Sequence, residues 1–197
     1  MKIIRYQDRQ GNIGHAAQQE DGVPLKLRGD IYAAPTVTGE KAEIARLLAP
    51  VAPASIICIG LNYRRHAEET GAKFPEFPVV FFKGINTVQH PGAPVEIPSH
   101  LRSDEVDYEC ELAVVIGRAC KNVSRARALD FVLGYTCCND VSARDWQLKR
   151  GGGQWSRGKT FDTFSRSCSS PAPLAQGRRQ REHRDREDRY PDQSRGG

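Results

Sequence analysis

The sequence contains no CxxC pair, no apolar run approaching the length of a membrane span, and no P-loop pattern. Its six cysteines are scattered at 58, 110, 120, 137, 138 and 168, and that spacing argues against a zinc site. Cys58 and Cys110 fall within strand-like apolar runs and read as reduced core residues. A membrane-crossing helix needs about 20 consecutive apolar residues, and no stretch supplies them. The opening Met1-Lys2-Ile3-Ile4-Arg5-Tyr6-Gln7-Asp8 lacks the apolar core of a secretory signal, so a cytoplasmic location is the default expectation. The glycines of Arg150-Gly151-Gly152-Gly153-Gln154 do not follow the phosphate-cradling pattern and read instead as a flexible lid.

Apolar residues are scarce at one end only. Over the whole chain 39% of residues are hydrophobic and 27% charged, an ordinary globular composition. In residues 165–197 the apolar residues reduce to Cys168, Ala172, Leu174, Ala175 and Tyr190, and arginines alternate with acids without a helical or strand stripe. Such a segment cannot bury enough surface to offset its ordering entropy and is expected to be disordered. It also supplies most of the net charge of +5, so the basic balance is weak support for a nucleic-acid partner.

The remainder divides into a lead-in at 1–53 and a larger unit at 54–164. Met1–Tyr6 and Ile13–Ala17 predict a hairpin around Gln10-Gly11-Asn12, and Lys41–Leu48 predicts a short helix ending before Pro50. Ser55–Gly60, Phe77–Lys83, Leu112–Ile116 and Val132–Cys138 predict buried strands by their apolar runs. Ser124–Phe131, with Ser124 as N-cap, and Val141–Lys149 predict helices. Arg64–Glu69 predicts another, stopped by Gly71.

The densest stretch is Asp107-Tyr108-Glu109-Cys110-Glu111-Leu112-Ala113-Val114-Val115-Ile116-Gly117. Glu109 and Glu111 are two residues apart, so a strand projects both carboxylates from one face. Adjacent carboxylates repel unless a proton or cation lies between them, and hard divalent ions prefer such oxygen ligands. A solvated strand edge accounts for the same spacing. Asp140, at the end of a strand, could add a third carboxylate. His66 and Glu69 share a face of the short helix, which suits either a carboxylate-oriented general base or a surface ion pair. Lys83 ends its strand and either snorkels to solvent or meets an anion.

Together these pieces resemble the fumarylacetoacetate hydrolase family. The resemblance is carried in order by Gly60-Leu61-Asn62-Tyr63-Arg64-Arg65-His66-Ala67-Glu68-Glu69, Pro78–Lys83, Asp107–Gly117, Gly134–Gln147 and Gly158-Lys159-Thr160-Phe161-Asp162-Thr163-Phe164. It implies an α+β fold, a β-rich mixed roll that is usually dimeric. It implies that Glu109, Glu111 and Asp140 bind Mg²⁺ or Mn²⁺ and that His66 with Glu69 activates water or abstracts a proton. Lys83, Arg144, Gln147 and Lys159 would contact the substrate, a small 2-oxo or diketo acid. The implied reaction is metal-dependent C–C bond hydrolysis of an acylpyruvate-type acid. Isomerisation, hydration, lyase chemistry or decarboxylation are alternatives on the same scaffold.

The family pattern breaks off at Ser165, where further strands of the roll would follow. The expectation is therefore a truncated or frameshifted member, incomplete at its C-terminus, with apolar edges left exposed. Rival readings are a non-catalytic fragment and a nucleic-acid binder using the arginine-rich tail. No nucleic-acid or membrane partner is expected.

Overall fold

The computed structural model describes residues 1–167 and the short strand at 174–175. The N-terminal strands are β1 (Lys2–Gln7), β2 (Ile13–Gln18), β3 (Pro24–Arg28), β4 (Thr36–Lys41) and β5 (Arg46–Leu48). Next come β6 (Ile56–Gly60), helix α1 (Arg64–Glu69), β7 (Val79–Lys83), β8 (Val88–Gln89), β9 (Val106–Asp107) and β10 (Cys110–Ile116). The described chain finishes with β11 (Val132–Asp140), β12 (Ser142–Ala143), helix α2 (Ser156–Lys159), β13 (Ser165–Ser167) and β14 (Leu174–Ala175). Strands outnumber helices, and the architecture is the expected β-rich α+β roll.

The main sheet runs β4-β3-β2-β1-β14-β11-β13-β8, with β5 added on β1 and β10 on β11. The predicted N-terminal hairpin forms, with Lys2 opposite Gln18 and Gln7 opposite Ile13. The division drawn at 53 does not interrupt this sheet, because β14 bridges β1 and β11. A buried cluster of Ile3 and Ile31, packed by Leu27, Val51, Val115 and Leu133, joins the two parts. A second cluster, Val141, Ala143, Phe161 and Phe164, lies beneath the candidate site.

Several local expectations are corrected. Lys41–Leu48 is not a helix: Lys41 ends β4 and Arg46–Leu48 pairs with β1, because tertiary pairing outweighs the local periodicity of a short segment. Arg125–Phe131 forms 3₁₀ turns, without a side-chain cap from Ser124. The predicted helix at Val141–Lys149 is split between β12 and a π-type turn over Asp145–Arg150. Ser165–Ser167, assigned by sequence to the disordered tail, is a strand whose Ser165 and Ser167 lie opposite Asp140 and Cys138. Leu174–Ala175 is a strand as well. For the rest of 165–197, the expectation of disorder lies outside the described residues.

The strands expected to be buried are covered on one face at most, and β6 and β10 are only half-buried there. Leu112, Val114 and Ile116 are exposed along β10, and Cys110 is exposed beside them rather than in the core. Ile57 opposite Phe82 and Ile59 opposite Val80 form an exposed apolar face on the β6–β7 hairpin.

Helix α1 forms over the predicted residues, and Gly71 follows in the left-handed region at φ +65° that glycine tolerates. Gly158 serves a different need. A Cβ there would lie 2.4 Å from the Gln147 backbone nitrogen and 2.5 Å from the Ala143 carbonyl oxygen. Its absence lets α2 approach the 143–147 backbone and deliver Lys159 to the site. Gly158→Ala is expected to cost about 1–3 kcal/mol of stability, measured by urea unfolding of the full-length chain.

Candidate active site

Two chain segments bring the acids together. Glu111 lies on β10, Glu109 immediately precedes it, and Asp140 ends the adjacent β11. Cys110 pairs with Asn139 and Glu111 with Cys138, which fixes the register. Glu109, Glu111 and Asp140 each present a carboxylate oxygen, and the three oxygens lie within 4.8 Å of one another. They line a cavity of about 590 Å³ that also receives His66, Arg144 and Lys159.

Asp140 is 3% exposed and is approached from two sides. Lys83 Nζ donates to Asp140 Oδ1 at 2.5 Å and also to the carbonyls of Val141 and Phe164. Lys159 Nζ donates to Asp140 Oδ2 at 2.8 Å, to Ser142 Oγ at 2.8 Å and to Glu109 Oε1 at 3.1 Å. It also lies 4.9 Å from the centre of the Phe81 ring, a cation–π contact. Burial pulls the Lys83 ammonium below its ordinary pKa, an effect Asp140 opposes.

Lys83 was expected to contact the substrate, and the structure places it behind Asp140. All three of its ammonium protons have protein acceptors, and it does not line the cavity. The β7 alternation turns Lys83 inward, where its ammonium holds the Asp140 carboxylate. Arg144, Gln147 and Lys159 do reach the cavity. His66 and Glu69 also line it, His66 half-buried and Glu69 exposed. Among the described residues no hydrogen bond joins His66 to Glu69.

Two site residues were missed in the sequence. Ser142 Oγ donates to Glu109 and accepts from Lys159. Asp107 Oδ2 accepts from Arg144 Nε at 3.1 Å and Nη2 at 2.8 Å. Spacing carried a signal for both, since Ser142 is two residues after Asp140 and Asp107 two before Glu109. Burial acts against the Asp107 carboxylate, yet hydrogen bonds from Arg144 and the Tyr108 backbone hold it below its usual range. Burial likewise acts against the Arg144 charge, and its bonds to Asp107 and Glu109 hold it above its usual value.

Glu111 shows the cost of the acidic cluster. Burial, then the charges of Asp140 and Glu109, push its carboxyl up to about 7, although Lys159 and Lys83 oppose the shift. A cluster of oxygen donors with surplus negative charge fits a hard divalent cation. The neighbouring Cys58 thiol is pushed up to about 12, first by burial and then by Asp140, so it stays protonated and is a poor ligand beside the carboxylates.

The sequence match follows this geometry. Residues 55–172 match the family model "Fumarylacetoacetate (FAA) hydrolase C-terminal". The chain belongs to the fumarylacetoacetate hydrolase family. The match passes the boundary drawn at Ser165. The fumarylacetoacetate hydrolase domain-containing protein 2 homolog of Dictyostelium discoideum is 53% identical over 123 residues, covering 62% of this chain and 40% of that protein. The mitochondrial oxaloacetate tautomerase fahd2 of Xenopus laevis is 50% identical over 119 residues, 60% of this chain and 37% of that protein. This family member thus matches well under half the length of either relative. The crystal structure of 5-carboxymethyl-2-hydroxymuconate delta-isomerase from Mycobacterium smegmatis superposes with a TM-score of 0.75 at 37% identity, covering 89% of this chain and 67% of that one. Among the described residues no helix is long and apolar enough to cross a membrane.

Two outcomes test the site. The raised carboxyl of Glu111 keeps a proton in the folded protein that the unfolded chain loses above about pH 4.5. Stability from this group therefore falls as pH rises toward about 7, while metal binding, which needs the carboxylate, strengthens. Mn²⁺ affinity by calorimetry is expected to be about tenfold higher near pH 8 than near pH 6; a flat profile contradicts the assignment. Lys83→Met leaves Asp140 with one ammonium partner and is expected to cost about 3–5 kcal/mol, read by urea unfolding.

Proposed function

We propose that this chain carries a divalent-metal-assisted site that moves a proton on a small 2-oxo acid. The observation behind this reading is the Glu109–Glu111–Asp140 carboxylate cluster in the wall of a cavity that also holds His66 and Arg144. Mg²⁺ or Mn²⁺ held by these carboxylates would supply a Lewis acid for the carboxylate and keto oxygens of such a substrate.

The protein's own groups account for the rest of the reading. The Arg144 guanidinium, held by Asp107 and Gln147, would receive a substrate carboxylate. Lys159 lines the cavity with its ammonium hydrogen-bonded to Glu109, Asp140 and Ser142, and would favour nearby oxygen atoms that gain negative charge. His66, with Glu69 on the same helix face, would take the proton from the carbon next to the keto group and return it elsewhere. The names of two relatives favour proton transfer, one being a tautomerase and the other an isomerase. C–C bond hydrolysis of an acylpyruvate is the second reading, favoured by the family match and requiring His66 to activate water.

The test is turnover by the full-length chain with Mn²⁺, using oxaloacetate for enol–keto exchange and an acylpyruvate for cleavage. His66→Ala is expected to lower the active reaction about 10²-fold or more while leaving Mn²⁺ affinity nearly unchanged. Unchanged turnover would remove His66 from the chemistry.

A further inference from the structure

Arg144 is shared between two carboxylates with different roles. Its Nη2 lies 2.7 Å from Glu109 Oε1, a member of the acidic cluster, and 2.8 Å from Asp107 Oδ2, which is outside it. Nε donates to the same Asp107 oxygen and Nη1 donates to Gln147 Oε1. Three of the five guanidinium N–H groups donate to Asp107 and Gln147 and Nη2 also pairs with Glu109, so the guanidinium retains N–H donors for a ligand in the cavity that Arg144 lines.

Asp107 is itself held in place. Its Oδ1 accepts the Tyr108 backbone N–H at 2.8 Å, so both carboxylate oxygens have fixed partners. The backbones carrying the two residues are joined, with Asp107 opposite Ser142 and the Arg144 N–H donating to Glu105 O at 2.9 Å. The Asp107 side chain is 48% exposed and that of Arg144 is 20% exposed. An isolated surface pair of this exposure contributes little stability, but its geometry fixes where the guanidinium points. A divalent ion on Glu109 would draw on the same Oε1 lone pairs that now meet Arg144, whereas the Asp107 oxygen would keep its two N–H donors.

We propose that Asp107 is a positioning residue that anchors Arg144 toward the cavity and holds it when Glu109 turns to a cation. Asp107 lies at the cavity wall outside the acidic cluster and acts through Arg144. The inference rests on the reading of the cavity as a metal-assisted 2-oxo acid site.

The probe is oxalate, whose two oxygens can chelate a divalent ion as a 2-oxo acid does. Calorimetry on the full-length chain measures Mn²⁺ binding first and oxalate binding to the Mn²⁺-loaded protein second. Asp107→Asn keeps the side-chain size and removes the charge. It is expected to leave Mn²⁺ affinity within about threefold and to lower oxalate affinity about tenfold or more. Asp107→Ser is expected to do the same and serves if the Asn variant does not fold. In an Arg144→Gln background neither change is expected to weaken oxalate further, because the anchor has nothing left to hold. Wild-type oxalate affinity in folded Asp107→Asn and Asp107→Ser, or additive losses in the double variants, would overturn the inference alone. Failure of the Mn²⁺-loaded wild type to bind oxalate would overturn the inference and the 2-oxo acid reading together.

Discussion

The Asp140 carboxylate is held from opposite sides by two buried ammonium groups from distant parts of the chain. Lys83 comes from β7 and Lys159 from α2, at 2.5 Å and 2.8 Å. Buried charges are costly unless paired and hydrogen-bonded. Here Lys83 also meets two backbone carbonyls and Lys159 also meets Ser142 and Glu109. This satisfied network ties β7, β11 and α2 together and sets where Asp140 faces Glu109 and Glu111.

The remaining charges follow from that arrangement. Glu111 has no ammonium of its own at hydrogen-bond distance among the described residues, and its carboxyl rises to about 7. Arg144 spreads its charge between Asp107 and Glu109 at the other side of the cavity. The cavity therefore combines an acidic centre, whose oxygen donors fit a hard cation, with the Arg144 guanidinium at its side.

The same strands that carry the acids expose apolar residues on their other face. Leu112 lies opposite Cys137 and Val114 opposite Tyr135, so β10 and β11 share this face. The β6–β7 hairpin repeats the pattern with Ile57 and Phe82. A strand that is apolar on both faces reads as fully buried, but alternation alone does not say what covers each face.

The sequence by itself determined most of the local pieces. The N-terminal hairpin, the β6 and β7 strands, helix α1 and the face shared by Glu109 and Glu111 follow from periodicities of two and 3.6 residues and from turn residues. Ordered motifs made the family legible. Other features only the tertiary structure decided, because they depend on partners distant in the chain. Arg46–Leu48 became a strand once β1 offered it an edge. Lys83 came to support Asp140 because Val141 and Phe164 supplied its other acceptors, and Phe164 lies 81 residues away. Asp107 entered the site because β9 pairs with β12 and brings it to Arg144. Local spacing fixes which way a side chain leaves its strand; long-range pairing fixes what it meets there.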